Sequence, residues 1–185
     1  MISTNDLRPG VTIELDSDLW TVLEFQHVKP GKGAAFVRTK MRNVRSGNTN
    51  ERTFRAGEKL VRALLERKEM QFLYEQSGEY NFMDTTDFEQ IALPASKLGD
   101  TVKWMKEQTM VNMLFFGHEI IGVDPPNFVE LEVTETDPGV RGDTATGGSK
   151  PATMETGAVV AVPFFINIGD MLKIDTRTGA YLERC

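Results

Sequence analysis

Cysteine is nearly absent: the 185 residues contain one, Cys185, so no disulfide can close within this sequence and a cysteine-based metal site has too few ligands. Histidine is almost as scarce, with His27 and His118 only, neither in a ligand-spaced motif. No metal and no cofactor are therefore expected. Long apolar runs are missing too. The longest, Ala158 to Ile166, is nine residues interrupted by Pro163, against the ~20 needed to span a bilayer as a helix. The opening residues, Met1 to Arg8, lack both a basic start with an apolar stretch and the Arg/Ser-rich character of a transit peptide. The expectation is a cytoplasmic protein with no membrane partner. Carboxylates are plentiful, yet none stands in a recognisable constellation with histidine or a nucleophile, so no enzymatic activity is expected.

What is present suits a folded β protein. Hydrophobic residues make up 40% of the chain and charged residues 26%, enough to build a core. Sixteen Gly and eight Pro are spread along the chain, and punctuation that frequent suits short strands better than long helices.

Charge is divided unevenly. The formal net charge is −6, which alone speaks against a nucleic-acid partner. Residues 1–63, however, hold 11 basic and 7 acidic side chains, and residues 64–185 hold 10 and 20. Val28 to Arg62 is the extreme, with ten cations against Glu51 and Glu58. Such a patch can bind phosphates while the acidic remainder suppresses indiscriminate binding.

Within the basic segment, residues 35–45 read as a strand. Period-two alternation puts Phe36, Arg38, Lys40 and Arg42 on one face and Val37, Thr39 and Met41 on the other. A solvated face or a charged edge strand gives the same pattern; the loop just before it tips the reading toward a nucleic acid. Lys29, Pro30, Gly31, Lys32 and Gly33 lie between two strand-like runs, which makes them the tip of a long hairpin, roughly 25 Å from its base at ~3.3 Å per residue. Lys32 is presented there, and the flanking glycines remove side chains that would keep a partner from the backbone. The residues thus suggest a basic finger that reaches along an RNA.

Three segments follow from the punctuation. Residues 1–63 alternate short strands and turns as a small antiparallel barrel or sheet. Residues 64–127 carry a hairpin with Met70, Phe72 and Tyr74 inward, a turn at Ser77-Gly78, and Tyr80 with Phe82 returning. They also hold a helix candidate from Ser96 to Gln108, with Leu98, Val102 and Met105 at helical spacing and Trp104 beside them. Asp124-Pro125-Pro126-Asn127 reads as a junction. In residues 128–185, Val129, Leu131 and Val133 alternate with Glu130, Glu132 and Thr134. A polar loop then leads to an apolar strand from Val159 to Ile166 and a last strand pair around Thr176 to Gly179. The segment Gly142 to Lys150 superficially resembles a phosphate-binding loop, but Gly148 stands where that loop places lysine. Nucleotide hydrolysis is not supported, and a surface loop touching RNA or protein is the better reading.

Four motifs carry a family resemblance: His27 to Gly33 (HVKPGKG), Pro126 to Glu132 (PNFVELE), Asp137 to Thr144 (DPGVRGDT), and Lys150 to Gly157 (KPATMETG) running on to Val162-Pro163. In order and spacing the chain resembles bacterial translation elongation factor P from residue 2 to 184. The resemblance implies three small β-barrel domains in an L-shaped, tRNA-like outline. An SH3-like (KOW-type) domain would occupy 1–63, and OB folds 64–127 and 128–185. It implies a monomer that enters the 70S ribosome between the peptidyl and exit sites and relieves stalling at consecutive prolines. Lys32 would approach the CCA end of peptidyl-tRNA and match the residue that a modifying enzyme extends in many members. Arg38, Lys40 and Arg42 would meet acceptor-stem phosphates, and Tyr181 and Arg184 tRNA backbone. Gly142, Asp143, Thr144, Gly147, Gly148 and Lys150 would lie near the small subunit and the exit-site codon. The competing readings are an enzyme using that loop for a phosphorylated ligand, and a paralogue acting on RNA or protein away from the peptidyl-transferase centre.

Overall fold

The computed structural model describes residues 1–139 and 148–185. Six strands from the first third of the chain, β1 (Ile2–Ser3), β2 (Thr12–Leu15), β3 (Asp18–Val28), β4 (Phe36–Asn43), β5 (Thr49–Arg55) and β6 (Lys59–Arg62), form an antiparallel sheet in the order β1-β6-β2-β3-β4-β5. Five from the middle third, β7 (Glu66–Gln76), β8 (Glu79–Asp84), β9 (Gln90–Pro94), β10 (Met110–Phe116) and β11 (Glu119–Asp124), are ordered β11-β10-β7-β8-β9. The last third gives β12 (Phe128–Thr136), β13 (Ser149–Met154), β14 (Val159–Pro163), β15 (Met171–Asp175) and β16 (Ala180–Arg184), ordered β14-β13-β12-β15-β16. The described residues cluster into two compact units: Met1–Arg67 with Leu114–Gly122, and Lys68–Met113 with Val123–Cys185.

The first unit encloses Leu7, Ile13, Val22, Met41, Phe54 and Leu60, all nearly or wholly buried, with Trp20 and Phe25 packed against them. In β12 the alternation is complete: Val129, Leu131 and Val133 are buried while Glu130, Glu132 and Thr134 face solvent. The buried side joins Met154, Val160, Val162, Leu172 and Ile174 in one apolar cluster, and Trp104 closes onto it. Trp104, singled out in the sequence only as a neighbour of the helical positions, is thus shared with the C-terminal core.

Three elements depart from the sequence expectation, each for a local reason. The helix from Ser96 to Gln108 shrinks to one turn, α1 (Ala95–Leu98), followed by a 3-10 turn over Gly99–Trp104. Gly99 adopts φ +54°, ψ −131°, which cannot continue a right-handed α-helix. Thr101 and Trp104 then go inside with Leu98 at three-residue spacing, and Val102 is only half-buried. Tyr74 is exposed rather than inward. The β7–β8 register shifts between Phe72 and Tyr74, and a bulge of one residue turns the following side chain to the other face. The apolar strand from Val159 stops at Pro163, leaving Phe164 and Phe165 in a turn.

Candidate nucleic-acid interface

The basic hairpin is built by β3 and β4. They pair from Trp20↔Asn43 out to Val28↔Phe36. At its base, Asp16 (φ 52°) and Ser17 (φ 63°) turn β2 into β3 with both residues left-handed, the geometry that matches strand twist in a two-residue hairpin. Asn43 donates to Asp18 (2.5 Å), Arg45 donates to it (2.8 Å), and so does the Leu19 amide (3.0 Å). These bonds, that of Asn43 foremost, hold the Asp18 carboxyl below the ordinary carboxylate range. Arg45 also reaches Glu119 of β11 at 2.9 Å, and Glu119 first, then Asp18, raises the guanidinium's pKa.

Toward the other end, Arg8 lies over the Phe25 ring (5.3 Å to the centroid), and Phe25 meets His27 edge-on at 5.7 Å. This stack stiffens the stem just below the loop. Sequence reasoning missed it, although Phe25 and His27 sit two apart on one strand, the spacing that puts them on one face. Beyond it, Lys29, Pro30, Gly31, Lys32 and Gly33 are all exposed. Gly33 takes φ +116°, which an L side chain resists, so a glycine belongs at the return into β4.

On β4 the alternation expected from the sequence is present. Val37, Thr39 and Met41 are buried; Arg38 and Arg42 are exposed and Lys40 half-buried. Register gives the three cations different neighbours. Arg38 lies between Gln26 and Thr53, Arg42 between Thr21 and Thr49, but Lys40 between Glu24 and Glu51. Lys40 Nζ is 3.6 Å from Glu24. Uncompensated charge is therefore concentrated at Arg38 and Arg42, which take part in no ion pair among the described residues. Four residues along a strand separate them by ~13 Å, beyond the ~8 Å screening length of physiological salt, so each can meet a phosphate independently. Of the ten cations between Val28 and Arg62, three (Lys40, Arg45 and Arg52) are engaged with carboxylates. The free positive patch is smaller than composition alone indicates.

The C-terminal candidates lie on β16. Tyr181 opposes Ile174 and Arg184 opposes Leu172, with a register shift between. That bulge puts residues three apart, which strict alternation would separate, opposite two core residues of one face. Tyr181 packs on the C-terminal core. Arg184 lies over Phe165 (5.8 Å) and 3.6 Å from Asp170. Gly142, Asp143, Thr144 and Gly147 fall outside the described residues. Gly148 precedes β13, and Lys150 lies within it, 5% exposed, its ammonium donating to the Asp137 carbonyl at 2.6 Å. Lys150 therefore ties β13 to Asp137 at the end of β12 and is not offered to a partner there. Among the described residues no three His, Cys, Asp or Glu side chains gather as metal ligands, and no helix is long and apolar enough to cross a membrane.

Family models match nearly end to end: the Elongation factor P (EF-P) KOW-like domain over residues 3–60, the Elongation factor P (EF-P) OB domain over 65–123, and Elongation factor P, C-terminal, over 129–184. Together with the mostly-β fold, these matches define a translation factor assembled from small β domains. A protein named elongation factor P in Pelotomaculum thermopropionicum is 61% identical over 184 residues, covering 100% of both chains; that of Natranaerobius thermophilus is 59% identical, covering 100% of this chain and 98% of its own. The chain belongs to the elongation factor P family. Among solved structures, translation initiation factor 5A from Methanococcus jannaschii shares the fold at 18% identity (TM-score 0.51, 66% of this chain and 94% of that one). A translation initiation factor 5A family protein from Naegleria fowleri does so at 15% (TM-score 0.55, 66% and 96%).

Proposed function

We propose that this factor acts in the cytoplasm on the 70S ribosome, between the peptidyl and exit sites, and relieves stalling at consecutive prolines. Its hairpin tip would then steady the CCA end of peptidyl-tRNA. The observation that carries this reading is the exposed Lys32 between Gly31 and Gly33, ahead of Arg38 and Arg42 on the outer face of one stiffened hairpin. Membership of the elongation factor P family supports it.

The chemistry needed is modest. Proline is a poor peptidyl donor and acceptor, and the ribosome supplies the peptidyl-transferase centre. A factor that holds the reacting end in place can remove up to ~7–11 kcal/mol of barrier by positioning alone, and each ~1.4 kcal/mol is tenfold in rate. No side chain here has to transfer a proton. Lys32 places a cation, or the extension that a modifying enzyme adds to it, beside the tRNA end. Arg38 and Arg42 neutralise acceptor-stem phosphates, and Lys40, shared with Glu24, contributes less. Such contacts fix orientation without reading bases, as a factor serving any stalled tRNA requires. Tyr181 and Arg184 are proposed as a second contact with tRNA backbone, and the Gly142–Gly148 loop as one with the small subunit. The factor would work as a monomer with domains over 1–63, 64–127 and 128–185.

The test is translation of a reporter with three consecutive prolines beside a proline-free control, in a reconstituted system with and without the protein purified from its own host. Faster synthesis of the proline reporter alone is expected. Equal rates with ribosome binding intact would sink the reading.

A further inference from the structure

A groove of about 840 Å³ opens in the first unit at the base of the hairpin, away from the tip. Its floor carries a row across three strands, since Thr12 on β2 pairs with Thr21 on β3, which pairs with Arg42 on β4. The chain leaving β6 forms one wall, fastened where the Ala63 amide donates to the Thr12 carbonyl at 2.9 Å. That wall brings Arg62 and Arg67 to the groove.

Its charge is one-sided. Three arginines are among its lining residues, Arg42, Arg62 and Arg67, and no aspartate or glutamate is, in a chain whose net charge is −6. All three are exposed, and none is in an ion pair among the described residues. The Thr12 and Thr21 hydroxyls lie 2.9 Å apart. One donates to the other, so the accepting hydroxyl keeps its own proton to give to an anion. Guanidinium forks and a free hydroxyl around an open groove suit phosphodiester oxygens. Arg42 belongs both to this floor and to the outer hairpin face, so the two surfaces are continuous.

We propose that this groove binds RNA backbone, extending the path of the nucleic acid from the outer face of the hairpin to Arg62 and Arg67. The inference rests on the reading of the chain as an RNA-binding factor, and it adds a contact at the hairpin base that no motif in the sequence marks. Binding here is electrostatic and independent of sequence, with the groove setting where the backbone lies.

The test uses the full chain and 70S ribosomes carrying peptidyl-tRNA, with affinity measured between about 50 and 200 mM salt. Replacing both residues, Arg62→Gln and Arg67→Gln, should weaken binding and reduce the slope of log K against log salt by about 1.4–1.8, or 0.7–0.9 per phosphate lost. Across that fourfold rise in salt the variant then loses about tenfold less affinity than the parent. Arg62→Lys with Arg67→Lys keeps the charge and should restore most of the slope, which a merely structural role would not do. An unchanged slope in the glutamine variant, with the slope still lowered by Arg38→Gln, overturns the groove while leaving the hairpin reading standing. Weaker binding at unchanged slope also overturns it, in favour of a protein partner. No ribosome binding by the parent protein would defeat the wider reading itself.

Discussion

Lys32 sits on an exposed loop and makes no hydrogen bond or ion pair among the described residues, so its removal should leave the fold alone. Lys32→Ala is expected to abolish acceleration of the three-proline reporter while shifting unfolding free energy by less than about 0.5 kcal/mol, as measured by urea titration. Full acceleration by the variant would refute the tip mechanism. Residues of this kind were legible because their spacing is local: Gly31-Lys32-Gly33 needs no tertiary contact to be read, and the period-two row from Phe36 to Arg42 declares its own faces. Pairings across the sequence were not. The link from Arg45 to Glu119 spans 74 positions, and nothing near Lys40 in the sequence announces that Glu24 and Glu51 flank it. Arg62 is legible only as the last cation of the basic segment and Arg67 lies outside it; that the two line one groove with Thr12 and Thr21 depends on strands far apart in sequence.

At the scale of the element, the hairpin should behave as two separate phosphate contacts with a weaker one between. Arg38→Gln combined with Arg42→Gln is expected to lower the salt slope of ribosome binding by about 1.4–1.8, whereas Lys40→Gln should change it by less than half as much as either arginine alone. Equal effects from all three would show that Glu24 does not compensate Lys40 in solution. Strands were the elements best read from sequence, because alternation follows directly from which side is buried, as β12 and β4 illustrate. The helix was over-read. Leu98, Val102 and Met105 fit an α-helical stripe, but the left-handed Gly99 within that stretch converts the path to a 3-10 turn, and helical spacing of apolar residues does not register a break of that kind. Tyr74 was misassigned for a related reason: a bulge adds a residue without altering the composition that alternation is read from.

For the whole molecule, three carboxylates link stability to pH. Asp18 is held low by Asn43 and Arg45, Asp84 by the Thr86 amide and Lys68, and Asp175 by Arg177. A carboxyl depressed in the native state stabilises it at every pH above the unfolded value of ~3.9, and that contribution is lost as pH falls through the depressed native value. The urea midpoint should therefore be flat near neutrality and fall below about pH 4. The combined variant Asp18→Asn and Asp175→Asn should be less stable at neutral pH and fall less steeply in acid. A variant as steep as the parent would show that these pairings do not persist in solution. The change of sheet between β11 and β12 was legible at this scale because Pro125 and Pro126 punctuate it, whereas the compact units divide at Arg67 and within β10 and β11, where no Pro or Gly cluster marks the chain. That Trp104 belongs to the C-terminal core was not legible, since its partners lie beyond the junction at Asp124 to Asn127.

The paired strands β3 and β4, braced by the Arg8–Phe25–His27 stack, also make the hairpin a ruler. Adding two residues to each strand preserves which side chains face outward and carries Lys32 ~7 Å further from the base. Adding one to each carries it about half as far, ~3.3 Å, and also turns over the face beyond the insertion. Reach can thus be varied at constant facing by even insertions, and a series of them would measure how far the tip must extend independently of what the tip residue is.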